Sequence, residues 1–225
     1  MSTLVQNIAV LGGTGAEGSG LALRWARAGH RVILGSRNPD KAGKTCGELN
    51  ALAGVDSIAF ADNRSAAAQA GIVVLTVPHQ AQRATVEEVR QAIAGKILID
   101  TTVPLVPPKV ARVQLPSGGS AVAEVQRLLG ESVRVVSAFQ NVSAHQLRDL
   151  DHPLDCDVLV CGDDVAAREI VIGLARDAGL RAYHAGPICN SAAAEALTSI
   201  LISMNLRYKV PGAGIRITGI PDAAA

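Results

Sequence analysis

Short runs of β-branched residues alternate with helical patterns along nearly the whole chain, and no other feature restricts the fold as strongly. Strands are expected at Asn7 to Leu11, Arg31 to Gly35, Ser57 to Phe60, Ile72 to Thr76, Lys96 to Asp100, Arg134 to Ala138, Val158 to Cys161 and Arg181 to Tyr183. Helices are expected between them, around Gly18 to Ala28, Pro39 to Leu52, Arg64 to Gln69, Ala81 to Ala94, Ala121 to Leu129 and Val165 to Ala178. Such alternation forces right-handed crossovers and an α/β fold with a Rossmann-type, doubly wound, mostly parallel sheet. Eight strands exceed the usual six, so extra strands extend the sheet. A small C-terminal helical part follows.

Composition agrees. Apolar residues make up 48% of the 225 positions and aromatics only 2%, which fits close-packed helices on a parallel sheet. Net charge is +1 with no Lys/Arg cluster, so nucleic acid and anionic membrane are not expected partners. The start "MSTLVQNIAVL" lacks a basic region and reads as a strand, so no signal peptide is expected. The apolar stretch Ala192 to Leu206 is interrupted by Thr198, Ser199, Ser203 and Asn205 and is short for a membrane span. Cys46, Cys156, Cys161 and Cys189 are scattered, and His145, His152 and His184 have no metal-site spacing. Free thiols, no metal and a cytoplasmic location are the expectation.

Two domains are expected: residues 1–186 as a dinucleotide-binding unit and 187–225 as a helical segment closing its cleft. "PLVPPKVARVQLPSGGS" reads as a loop at the carboxyl edge of the sheet. Leu197, Ile200, Leu201 and Met204 form one face of the last helix, and Ala193, Ala194, Ile202 and Leu206 cover others. A helix apolar nearly all round must be buried on more than one side. Either it plugs a cleft or it packs against a second subunit.

"LGGTGAEGSG" follows the first strand and opens a helix. Gly13-Thr14-Gly15-Ala16-Glu17-Gly18 matches G-x-G-x-x-G in the context that gives the motif meaning. Gly13 is expected to allow the tight turn, Gly15 the approach of pyrophosphate and Gly18 close helix packing. The bare N–H groups at the helix start face the phosphates.

The second strand decides the nucleotide. An NAD site usually ends this strand with Asp or Glu for the ribose 2′-hydroxyl. Here it ends Gly35-Ser36-Arg37, with Lys41 a helical turn on. These donors suit a 2′-phosphate that a carboxylate would repel. The expected cofactor is NADP(H).

Thr76, Val77, Pro78 and His79 end the fourth strand, where the second half of the dinucleotide would run. Asp100-Thr101-Thr102 reads as a turn, and Asp163-Asp164 as a helix cap. No nucleophile elbow or Cys–His arrangement is legible, and no catalytic side chain is assigned. Hydride transfer between two bound cofactors needs position more than an ionised group.

Several motifs recur together: "LGGTG…GLALRWARAGHRVILGSRNPDKA", "VVLTVP", "VVSAFQNVSA", "VLVCGDD" and "HAGPICNS…EALT". With them the chain resembles, over essentially its full length, the F420-dependent NADP oxidoreductases. That resemblance implies reversible hydride transfer between NADPH and the 5-deazaflavin coenzyme F420, in a homodimer. It also places Thr14, Gly15, Ala16, Glu17, Ser36, Arg37 and Lys41 in the NADP shell, with His79 and Arg83 contacting the cofactor after the fourth strand. Val142 and Ala144 lie where the two rings are juxtaposed, and Thr198 and Ala213 fall on the deazaflavin pocket. Gln140 and Asn141 are expected at the acceptor's pyrimidine edge. The chain departs from archaeal members in carrying Gln140 in place of a histidine and Ala192 in place of an arginine. "AFQNVSA" is also similar to the oxidoreductase domain of the STEAP metalloreductases, so an NADPH-dependent flavin or ferric reductase using FMN or FAD is an alternative. A non-catalytic NADP(H)-binding regulator is another.

Overall fold

A computed structural model describes residues 4–151 and 153–221; His152 lies outside them. Eight strands form one sheet: β1 (Asn7–Leu11), β2 (Arg31–Gly35), β3 (Ile58–Ala61), β4 (Ile72–Leu75), β5 (Ile97–Asp100), β6 (Arg134–Ser137), β7 (Asp157–Gly162) and β8 (Arg181–His184). Their spatial order is β3-β2-β1-β4-β5-β6-β7-β8. The first six are parallel and β8 is parallel to β7. β7 runs antiparallel to β6 through Val136–Gly162 and Ser137–Cys161. The doubly wound sheet with extra strands is therefore as expected. The reversal at β7 is not readable from the strand pattern, because it depends on how the chain re-enters the sheet.

Each central strand feeds both cores, as the two-residue side-chain period requires. Ile8 and Val10 of β1 join one apolar cluster while Ala9 and Leu11 join the other. Ile72 and Val74 of β4 part from Val73 and Leu75 in the same way. On the first face pack helices α1 (Ala16–Arg27) and α2 (Pro39–Ala53). On the second pack α3 (Asn63–Gln69), α4 (His79–Val89) and α5 (Ala121–Leu129). The short α6 (Ala144–Leu147) and α7 (Val165–Asp177) complete the first face, and α8 (Ser191–Tyr208) crosses the carboxyl edge. Asp164 caps α7 through Ala167 N at 2.7 Å, in line with the sequence reading.

Two contacts set the loop after β6. Trp25 of α1 is fully buried, donates Nε1–H to Leu174 O at 2.8 Å, and meets Phe139 edge-on with ring centroids 5.9 Å apart. Phe139 adopts φ +74°, a conformation non-glycine residues seldom take. Full burial of its ring, ~2–3 kcal/mol, offsets that strain. Arg24 donates to the carbonyls of Leu147, Gln146, Asp149 and Ala178 at 2.6–3.2 Å. It thereby binds the end of α6 to α1.

Candidate functional site

The carboxyl ends of β1, β2 and β4 open into a cleft of about 350 Å³. β1 enters it through Gly12, whose φ of +81° makes the turn. Gly13 follows inside the turn that Gly15 N–H closes on Gly12 O at 2.9 Å. Packing constrains it as well: a Cβ there would lie 2.8 Å from Val10 O and 2.9 Å from Leu34 Cδ2. Gly18 is the close-packing position, since a Cβ would collide with Thr76 Oγ1 and sit 2.9 Å from Gly12 O. Thr76 is held there by donating Oγ1–H to Leu11 O at 2.9 Å. Gly15 is the N-cap of α1 with no side-chain cap, so the first N–H groups of the helix face the cleft unobstructed.

Across the cleft stand Ser36, Arg37 and Lys41. Asn38 caps α2 by accepting Lys41 N–H at 2.9 Å, and its own N–H donates to Ser36 Oγ at 3.1 Å. This local turn aligns the three donors on one rim. The Arg37 and Lys41 side chains are exposed and make no hydrogen bond or ion pair among the described residues. Thr14, Thr76, Val77 and Pro78 line the opposite wall. Ala16 lies exposed in the first turn of α1. His79 opens α4 and is half-buried. Arg83, a turn further along, is exposed and paired with Glu87 at 3.0 Å.

A second, smaller cavity of about 120 Å³ lies beyond β6, lined by Gln140, Asn141, Val142, Ser143, Thr198, Leu201 and Ala213, among others. Ala144 starts α6 beside it. The amide nitrogens of Gln140 and Asn141 already serve the scaffold. Gln140 Nε2–H donates to Asp100 O at 2.8 Å, and Asn141 Nδ2–H to Asp157 O at 2.8 Å. Gln140 Oε1 remains buried without a partner among the described residues. Thr198 Oγ1–H donates to Gln140 O at 2.7 Å, which fastens α8 to the loop. Ala213 N–H donates to Asn205 Oδ1 at 2.7 Å, folding the C-terminal segment back over the cavity. That segment is tied down further by Ile217 N–H on Asp157 Oδ2 at 2.6 Å.

Between the cavities lies a group of carboxyls, of which the sequence reading placed Glu17 in the NADP shell, took Asp100 for a turn and assigned Glu195 no role. Asp100 is fully buried and accepts from Gln82 Nε2 at 2.7 Å, from Thr102 N at 2.9 Å and from the Thr102 hydroxyl. Burial pushes its carboxyl above the usual range against the pull of those bonds. Glu17, in the first turn of α1, is pushed up to about 8, chiefly by burial and further by Asp100, while a hydrogen bond from Thr101 opposes the shift. Glu195 of α8 is 1% exposed and accepts from Ser120 Oγ, Ala121 N and Val122 N at 2.6–3.1 Å, so it caps α5 from another helix. Burial raises this carboxyl too. A polar residue closing the apolar run "ILID" was the available sign of Asp100. Glu195 stood in the quoted motif "EALT", but its role was hidden because its partners lie some seventy positions away.

Residues 7–104 match the family model described as NADP oxidoreductase, coenzyme F420-dependent. The F420-dependent NADP reductase of Methanothermobacter thermautotrophicus is 42% identical, over 99% of this chain and 99% of that protein. This chain belongs to the F420-dependent NADP reductase family. A crystal structure of a candidate F420-dependent NADP reductase from Arthrobacter sp. FB24 superposes with a TM-score of 0.80 at 25% identity, covering 95% of this chain and 100% of that one. The metalloreductase STEAP3 of Rattus norvegicus is more distant: 27% identical over 88% of this chain but only 37% of that protein. Membership of the reductase family thus spans both cavities and the C-terminal segment. Among the described residues, no helix is long and apolar enough to cross a membrane.

Proposed function

We propose that this chain binds NADP(H) in the cleft beside the glycine loop and exchanges a hydride with F420 bound over the loop after β6. One observation carries the reading. The end of β2 presents Ser36, Arg37 and Lys41, with no carboxylate among them, to a cleft whose other wall is a helix N-terminus. Two or three such donors favour a 2′-phosphate by about 1.5–3 kcal/mol each. Thr14, Gly15, Ala16 and Glu17 lie along the pyrophosphate path. Thr76, Val77 and Pro78 close the same cleft from the end of β4, with His79 and Arg83 at its outer edge.

NADPH supplies a hydride from its nicotinamide ring, and F420 takes it up with a proton from solvent. This chain's residues contribute position. Gln140 fixes the wall of the second cavity to the end of β5 through Asp100 O, and its free Oε1 suits an N–H donor on the acceptor ring. Val142 and Ala144 shape the wall against which the rings stack, and Thr198 and Ala213 border the acceptor. Asn141 supports that wall by bonding to β7. A near-neutral Glu17 spares the pyrophosphate an adjacent negative charge. We assign the NADP-binding part to residues 1–186 and the cleft-closing part to 187–225.

Homodimerisation completes the reading. Ile200, Met204 and Leu206 of α8 are 48%, 41% and 70% exposed in one chain, while Leu201 is buried. An apolar helix left bare on one side calls for a second copy. The test mixes purified protein with NADPH and either F420 or FMN and follows absorbance at the nicotinamide and acceptor bands. Loss of both nicotinamide and F420 absorbance, with FMN unchanged, is expected. Turnover with FMN alone would make the chain a flavin reductase, and binding without turnover would make it a regulator.

A further inference from the structure

Asn63 stands where β3 passes into α3 and lines the first cleft together with Ser36 and Thr85. It is 4% exposed. Nδ2–H donates to Glu88 Oε2 of α4 at 3.2 Å, which turns the amide oxygen away from that carboxylate. Oδ1 is then buried with no hydrogen-bond partner among the described residues. Native folds seldom leave such an acceptor unpaired, and a ligand donor is one way of satisfying it.

The surroundings narrow the choice of donor. Ser36, Arg37 and Lys41 hold the phosphate-seeking side of the cleft. Val77, Pro78 and Ala81 give it an apolar wall against which a flat base can lie. A bare amide oxygen repels phosphate oxygens and accepts only from N–H or O–H. At the base end of NADP the exocyclic amine of adenine is the N–H donor.

We infer that Asn63 Oδ1 accepts a hydrogen bond from the exocyclic amine of the adenine ring, with Glu88 holding the amide in that orientation, so that the cleft selects an amino-bearing purine. The inference rests on the reading of this cleft as the NADP(H) site.

The test is a binding measurement. The full chain is titrated with NADPH and with its hypoxanthine analogue, in which a carbonyl oxygen replaces the amine, and nicotinamide fluorescence is read. Wild-type protein should bind NADPH about tenfold more tightly, because the analogue loses the donor and sets two acceptors against each other. In Asn63→Ser the ratio should fall to near one. Glu88 is exposed, so Glu88→Ala serves where Asn63→Ser does not fold. The released amide can then turn its N–H to the carbonyl, and the ratio should fall likewise. Equal wild-type affinities overturn the inference. So does a ratio that survives the substitution, including the case in which NADPH binds more weakly but the ratio is unchanged, as a contact to the ribose 3′-hydroxyl would produce. Failure of wild-type protein to prefer NADPH over NADH would instead remove the cofactor reading, so the two failures are distinguishable.

Discussion

Gln140 Nε2–H donates to the carbonyl oxygen of Asp100 at 2.8 Å, so the loop that walls the second cavity hangs on the last residue of β5. Replacing Gln140 by Met keeps the length and removes the donor. Stability should fall by about 1 kcal/mol, the net worth of one such bond. The hydride-transfer rate should fall more than NADPH affinity, because the bond orients the loop and not the glycine cradle. Thermal unfolding and stopped-flow mixing read the two effects separately. Transfer at the wild-type rate would show that the loop keeps its place without this bond.

Arg37 faces solvent without a protein partner among the described residues, so its removal should cost nothing structurally. Arg37→Ala should weaken NADPH binding by about 1.5–3 kcal/mol, roughly ten- to a hundredfold, and leave NADH nearly untouched. Titration with both nucleotides checks this. Equal weakening of both would place Arg37 in the fold and not at the phosphate.

Glu17 ties nucleotide binding to pH. Its carboxyl titrates near 8 in the folded chain against the usual 4.5, so the folded state holds an extra proton between those values. Stability from this group is therefore complete below about 4.5 and is lost as pH rises through 8. The phosphates of a bound dinucleotide favour the neutral form further, so NADPH affinity should fall as pH climbs past 8. Glu17→Gln should flatten that decline and stabilise the protein at neutral pH. An affinity profile identical in wild type and variant would show that Glu17 does not sense the nucleotide.

Leu201 and Met204 lie one turn apart on α8, yet they should respond differently. Leu201 is 5% exposed and Met204 41%. Leu201→Asp buries an unpaired charge and should unfold the C-terminal segment. Met204→Asp should leave a folded chain that sediments as a monomer where the wild type sediments as a dimer. A wild-type monomer in the ultracentrifuge would rule out the dimer.

The sequence by itself determined what is local or periodic. Alternating β-branched runs dictated the strands and their two-faced burial, because a residue's side of the sheet follows from its parity. The glycine loop was legible because it too is local, and its left-handed residue is Gly12, one step before the motif. Ser36, Arg37 and Lys41 could be read because a single turn aligns them.

Only the tertiary structure decided what depends on distant partners. The antiparallel entry of β7, the capping of α5 by Glu195 and the unpaired oxygens of Asn63 and Gln140 arise between segments from 24 to 75 positions apart. Spacing carries no trace of such pairs. A buried carboxyl also looks the same in sequence as an exposed one, so the raised titration of Glu17 could appear only once burial and Asp100 surrounded it. α8 shows both sides. Its apolar character was plain in the sequence, but which of its faces the chain covers and which it leaves bare was settled by where Thr198 and Glu195 anchor it.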